Sequence, residues 1–156
     1  MGLPEHFDPA HAHKMLGVAH SVRDVASVLS MRPDGLFHVL KNPEAGRYYE
    51  PFEIPRKRGG KRQISKPLKG LAMAQERLAP IFSEVYTPRA FVHGYVEGRS
   101  FLTNATYHQG QRWVLNLDIE DFFGSIGFAR IRGVFLSSLF GYNHRVSTIL
   151  AILTTF

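Results

Sequence analysis

Apolar residues recur at three- and four-residue spacing over 11–30, where Met15, Leu16, Ala19, Val22, Val25, Ala26 and Leu29 share one face and predict a helix. A second helix is predicted over Pro33–Lys41, with Pro at a tolerated first-turn position and Leu36, Phe37 and Leu40 on one side. Pro43 and Gly46 mark 42–47 as a connection. The period then changes. Residues 48–55, where Tyr49, Pro51 and Phe52 disfavour helix, and residues 62–65 are extended runs around Gly59-Gly60, which predicts a β-hairpin with a basic tip, ended by Pro67. Helical spacing returns over 68–86 with Leu71, Ala74, Gln75, Leu78, Ile81, Phe82 and Val85. Pro80 predicts either a kink or a break there, and Thr87-Pro88 closes the segment.

Residues 91–100 are aromatic and Gly-rich, and 101–108 predict a short helix. Trp113-Val114-Leu115-Asn116-Leu117-Asp118 predicts an apolar strand ending in a carboxylate. Two further helices are expected over 128–140 and 143–156, the second without cap, polar tail or Gly, as in a helix cut rather than finished. No repeat or low-complexity tract is present. The fold class is α+β, in three stretches: a helical segment 1–47, a region 48–110 holding the hairpin, and 111–156 from the predicted strand onward.

Composition narrows the function classes. With 156 residues, 44% hydrophobic and 12% aromatic, the chain can bury the core of one ordinary domain, which argues against disorder. The lack of cysteine excludes a disulfide framework and a thiolate zinc site and suits the cytoplasm. Residues 1–15 hold no apolar run, and the apolar stretch 146–156 is about half the roughly 20 residues a span needs, so no membrane association is expected. Net charge is +6, and 56–69 carries seven basic side chains (Arg56, Lys57, Arg58, Lys61, Arg62, Lys66, Lys69) with no acidic one. Such a run attracts a phosphate-bearing polymer by counterion release, or is a solvated loop.

The acid ending the predicted strand admits two readings. Phosphoryl transfer by nucleotide polymerases needs two Mg²⁺ about 3.5–4 Å apart, and Mg²⁺ takes hard oxygen ligands together with substrate phosphates. Asp118 suits that use. Asp is equally a preferred N-cap, so Asp118 or Asp121 could simply start the next helix.

The run Leu117-Asp118-Ile119-Glu120-Asp121-Phe122-Phe123 resembles motif A of reverse transcriptases, in which an apolar strand ends in Asp and an aromatic follows five positions later. The hairpin 54–67 is similar to the fingers hairpin of that family. His93-Gly94-Tyr95, Gly98-Arg99-Ser100 and Asn104-Ala105-x-x-His108 resemble the block before motif A in bacterial enzymes, the last being the retron signature. Three motifs in order make the likeness specific. It covers residue 48 onward, with the N-terminal helices as the leading segment.

The resemblance implies fingers followed by the start of a right-hand palm. It implies RNA-directed DNA polymerisation of retron type, copying a structured noncoding RNA from RNA template and primer with dNTPs, in antiphage defence. Asp118 would be a ligand of both Mg²⁺ ions, the Ile119 carbonyl a ligand of one, and backbone amides near Asp121 and Phe122 would receive the triphosphate. Phe123 falls on the aromatic gate that rejects a ribose 2′-OH, and Phe122 is equally a core residue. Arg62, with Arg56 and its rival Lys57, would fold over the incoming triphosphate, since a guanidinium offers a planar fork of donors. Lys57, Arg58, Lys61, Asn104 and His108 are the RNA-binding candidates. Without the family, Asn104 reads as a cap or turn residue and His108 as a surface or helix-end histidine.

Two hallmarks are absent: the Gln-Gly motif B and the x-Asp-Asp motif C with the remaining metal carboxylates. The expectation is an inactive fragment with an open strand edge and apolar faces in 128–156 that lack partners. A group II intron or diversity-generating enzyme, and a non-catalytic RNA-binding remnant, are the rival readings.

Overall fold

Asp8 opens the first helix: its carboxylate accepts from the backbone N–H of Ala10 at 2.9 Å and of His11 at 3.1 Å, and Pro9 takes the first helical position. In the computed structural model, residues 6–41, 48–56, 59–120 and 122–155 are described. They form helices α1 (Pro9–Val18), α2 (Val22–Val28), α3 (Pro33–Lys41), α4 (Lys69–Val85), α5 (Phe101–Thr106), α6 (Phe128–Leu136) and α7 (His144–Thr154), with strands β1 (Tyr49–Pro55) and β2 (Lys61–Pro67). The fold is mixed helix and strand, as expected at that coarse level. The chain divides into two units, 1–85 with 126–156, and 86–125.

In the first unit, the helix expected over 11–30 is two. Ser21 and Asp24 form a capping box: the Ser21 hydroxyl accepts from Asp24 N–H at 3.1 Å, while the Asp24 carboxylate accepts from Ser21 N–H at 2.9 Å and His20 N–H at 2.8 Å. Buried Ala19 keeps the apolar period running across the break, which hides it in the pattern. At the other end of α2, Ser30 takes φ +48° and Met31 N–H reaches back to the Ala26 carbonyl at 2.8 Å, closing the helix. The buried Arg77 guanidinium donates to the Leu29 and Ser30 carbonyls left open there.

The Asp24 carboxyl is held below its ordinary range, first by the His20 N–H and then by the Ser21 hydroxyl. A group depressed on folding stabilises above its unfolded value and ceases to as pH falls through its folded one. Acid titration followed by circular dichroism should therefore show a shallower loss of helix below about pH 4 in Asp24→Asn than in the parent. Parallel acid branches would mean the box contributes nothing there.

Helix α4 runs unbroken past Pro80, contrary to a break at that residue. Proline removes one N–H from the ladder, but Leu71, Ala74, Leu78 and Ile81 are all buried on one face, and that packing carries the helix through. The core joins this face to Leu16, Val25, Leu36 and the inner side of α7. Val146, Ile149, Leu150 and Leu153 of α7 are buried, so the expectation of an unpartnered apolar face there is wrong. Helices α6 and α7 are also shorter than expected, because Ser137 and residues 138–143 turn the chain between them. Asn143 fixes the start of α7, accepting from Arg145 N–H at 3.1 Å and Val146 N–H at 3.0 Å while donating to the Ala19 carbonyl at 2.7 Å. Tyr142, hydrogen-bonded to His13 at 2.6 Å, has its phenol pushed up by burial.

The hairpin is antiparallel, with Phe52 opposite Ile64, Ile54 opposite Arg62 and Pro55 opposite Lys61. Gly59 and Gly60 supply the left-handed φ of +86° and +82° that its turn requires.

In the second unit, Ser100 caps α5 in a capping box with Thr103, and the Thr103 hydroxyl is 2.9 Å from His93 Nδ1. The Arg99 guanidinium donates to the carbonyls of Arg89 at 2.6 Å and Val92 at 2.5 Å, closing the preceding loop. The strand expected at 113–118 is not formed. Those residues are exposed and in no ladder, because a strand exists only with a ladder partner, and the one sheet among the described residues is β1–β2.

Candidate nucleic-acid and metal-binding residues

On the hairpin, in the first unit, opposite residues share a face. Arg62 therefore stands beside Phe52, Ile54 and Ile64, while Lys61 and Glu53 lie on the other side. Lys61 Nζ is 2.6 Å from the Glu53 carboxylate, an exposed pair that spends part of the lysine's attraction for other anions. The Arg62 side chain is exposed and has no hydrogen-bond or ion-pair partner among the described residues. Arg56 is exposed too, and its backbone closes the turn: its N–H donates to Gly60 and its carbonyl accepts from Gly59. Lys57 and Arg58 lie outside the described residues. The hairpin thus presents a bare guanidinium next to an apolar strip.

Asp118 lies in the second unit, on the irregular stretch leading to the 122–125 turn. Its carboxylate is exposed and without a partner among the described residues. Asp118 does not cap the next helix, since α6 begins after Gly127 with no side-chain cap. That removes the capping reading for Asp118, while Asp121 lies outside the described residues. Ile119 and Phe123 are 65% and 61% exposed, and the Phe122 and Phe123 rings meet edge to face at 5.3 Å, so neither ring sits in a core. No group of three His, Cys, Asp or Glu that could hold a metal occurs among the described residues. Mg²⁺ keeps several waters and needs only one or two protein carboxylates beside phosphates, so Asp118 with the adjacent Ile119 carbonyl fits one edge of such a site and not a closed cage.

Asn104 lies inside α5, not at a cap, because Ser100 already takes that place. His108 is exposed just beyond the helix, its N–H bonded to the Ala105 carbonyl. Sequence reasoning passed over two features of this unit. Tyr95 is fully exposed at φ +57°, and His93 has its Nε2 buried without a hydrogen-bond partner among the described residues while its ring meets Tyr107 at 5.2 Å. The Gly residues around Tyr95 are the visible signal of the turn. Nothing local announces the buried nitrogen.

No protein-family model matches the chain. Among curated relatives, the retron Mx65 reverse transcriptase of Myxococcus xanthus is 36% identical over 142 residues, which is 90% of this chain and 33% of that protein. The retron Mx162 reverse transcriptase of the same organism is 34% identical over 119 residues, 76% of this chain and 24% of the relative. The retron Ec86 reverse transcriptase of Escherichia coli is 35% identical over 89 residues, 57% and 27%. The chain spans about a third or less of each of these relatives. No helix among the described residues is long and apolar enough to cross a membrane. By sequence, this chain is similar over most of its length to one part of the retron reverse transcriptases.

Proposed function

We propose that this chain supplies the fingers and the first part of the palm of a retron-type, RNA-directed DNA polymerase, working in the cytoplasm on a structured noncoding RNA in antiphage defence. The observation that carries the reading is Asp118: an exposed carboxylate with no partner among the described residues, not spent on capping α6, inside the run that resembles motif A. The match to retron enzymes along 90% of the chain supports it.

In this reading Asp118 and the Ile119 carbonyl hold Mg²⁺, which when bound neutralises charge on the triphosphate and favours in-line transfer. Arg62, assisted by Arg56, binds triphosphate oxygens through charge-assisted hydrogen bonds and stays charged throughout. Backbone amides at Asp121 and Phe122 bind phosphate oxygens, and the Phe123 ring fills the space a 2′-OH would occupy. Lys57, Arg58, Lys61, Asn104 and His108 bind template, primer or the noncoding RNA. The chain alone does not polymerise.

The RNA half is tested by the salt dependence of binding. The chain should bind single-stranded RNA with log K falling linearly in log salt, by about 0.7 per phosphate neutralised. Glu53→Gln, which frees Lys61 from its ion pair, should steepen that slope by somewhat under one unit and tighten binding a few-fold at about 0.1 M salt. Absence of binding at about 50 mM salt, or a slope near zero, rejects the RNA assignment.

A further inference from the structure

The basic hairpin is a cantilever. Along its two strands of seven residues each, only Tyr49, Ile64 and Pro67 are even half-covered, so its direction is set at the root. There Leu68 N–H donates to the Tyr48 carbonyl at 2.7 Å, and the Tyr48 hydroxyl donates to the His38 carbonyl of α3 at 2.5 Å. The third tie is Gln75, half-buried on α4. Its Nε2 donates to the Tyr49 hydroxyl at 3.0 Å and to the Leu153 carbonyl at 2.9 Å. A primary amide nitrogen has two N–H groups, and both are used. The Leu153 carbonyl can only accept, which fixes which way the amide faces. That carbonyl belongs to the last turn of α7, where the helix itself provides no donor.

We propose that Gln75 is a positioning residue: it aims the basic hairpin by tying β1 to the last turn of α7, and so sets where Arg62 stands. Its consequence for catalysis rests on the triphosphate role proposed for Arg62. The lever is long. Arg62 lies five positions from Pro67 along β2, about 17 Å at roughly 3.3 Å per residue. A tilt of about 10° at the root displaces it by about 3 Å, a full hydrogen-bond length, which is enough to lose a phosphate contact.

The chain has no cysteine, so spin labels at Gln63→Cys and Arg145→Cys, both at exposed positions, report the hairpin's direction against α7 without background. The expected result is a narrow distance distribution in the otherwise unsubstituted chain. It should become at least about two-fold wider in Gln75→Met and in Tyr49→Phe, with helical circular dichroism unchanged. Gln75→Glu should not rescue it, because a carboxylate would face the Leu153 carbonyl acceptor to acceptor. Tyr49→Phe removes one oxygen atom and keeps the ring, so it remains readable if Gln75→Met disturbs α4. Widths equal to the parent in both variants, or a parent that is already broad, overturn the proposal. Binding of dGTP with Mg²⁺ by the parent and by Arg62→Ala is scored separately. If Arg62→Ala binds as the parent does, the triphosphate reading fails, and the label widths still decide Gln75.

Discussion

The isolated 156-residue chain should extend no primer on an RNA template with dNTPs and Mg²⁺. A chimera in which it replaces the matched stretch of the Mx65 enzyme should extend, and should lose at least about 10²–10³-fold of that rate on Asp118→Asn. The first half follows from the donor set: no group of three His, Cys, Asp or Glu that could hold a metal occurs among the described residues, where a two-metal site needs several acidic oxygens. The second follows from the charge. Asn keeps the size of Asp and one oxygen but removes the negative charge, so a divalent cation loses its anionic ligand while the surrounding chain is undisturbed. The Asp118 carboxylate has no hydrogen bond to lose among the described residues, which makes the substitution clean for folding. In the same chimera, RNA binding should be unaffected by Asp118→Asn, which separates loss of chemistry from loss of substrate. Extension by the isolated chain would overturn the first half. Undiminished extension by the substituted chimera would take Asp118 out of the site.

What the sequence disclosed and what it hid divide along the range of the interactions. The extent of α3, the face of α4 and the Gly-Gly hairpin are local patterns and appear where the spacing placed them, but the buried side of α3 is Leu36 and Val39, with Phe37 exposed instead of on the expected stripe. The break between α1 and α2 was also written locally, as Ser21-x-x-Asp24, but the buried Ala19 continued the apolar rhythm across it and masked the capping box. The Lys61–Glu53 pair could have been read from the register once the Gly-Gly turn set Pro55 opposite Lys61, because Glu53 then lies diagonally across on the same face. From spacing alone, Gln75 is one position on a helical face. Its polar head amid Leu71, Ala74 and Leu78 was the signal that it reaches a partner, though which partner depends on contacts 26 and 78 residues away.

The strand expected at 113–118 failed for a different reason. An apolar run states a preference for burial and leaves open what it pairs with, and here Trp113, Leu115 and Leu117 are at least 80% exposed. Asp118 was placed by motif and not by strand geometry. Its identity as a candidate therefore survives the loss of the strand, because the likeness rests on residue order and the relatives match along most of the chain.

Stability should reside in α7 and not in the apolar run before the candidate carboxylate. Leu150→Ala is expected to cost about 2–5 kcal/mol in denaturant unfolding of the chain, because Leu150 is fully buried within the core shared by α3, α4 and α7 and its truncation leaves a cavity that packed helices close only in part. Leu117→Ser, at a side chain 82% exposed, should stay within about 0.5 kcal/mol of the parent and raise solubility by removing apolar surface. The contrast is diagnostic because both residues are leucines in apolar runs of similar length, and a reading by hydrophobicity alone would rank them together. If Leu117→Ser destabilises as strongly as Leu150→Ala, residues 113–119 are packed in solution and the exposed carboxylate beside them loses its rationale. If only Leu150→Ala destabilises, the helical body folds around α7 independently of that run, leaving the segment that carries Asp118 free to be ordered by substrate and metal.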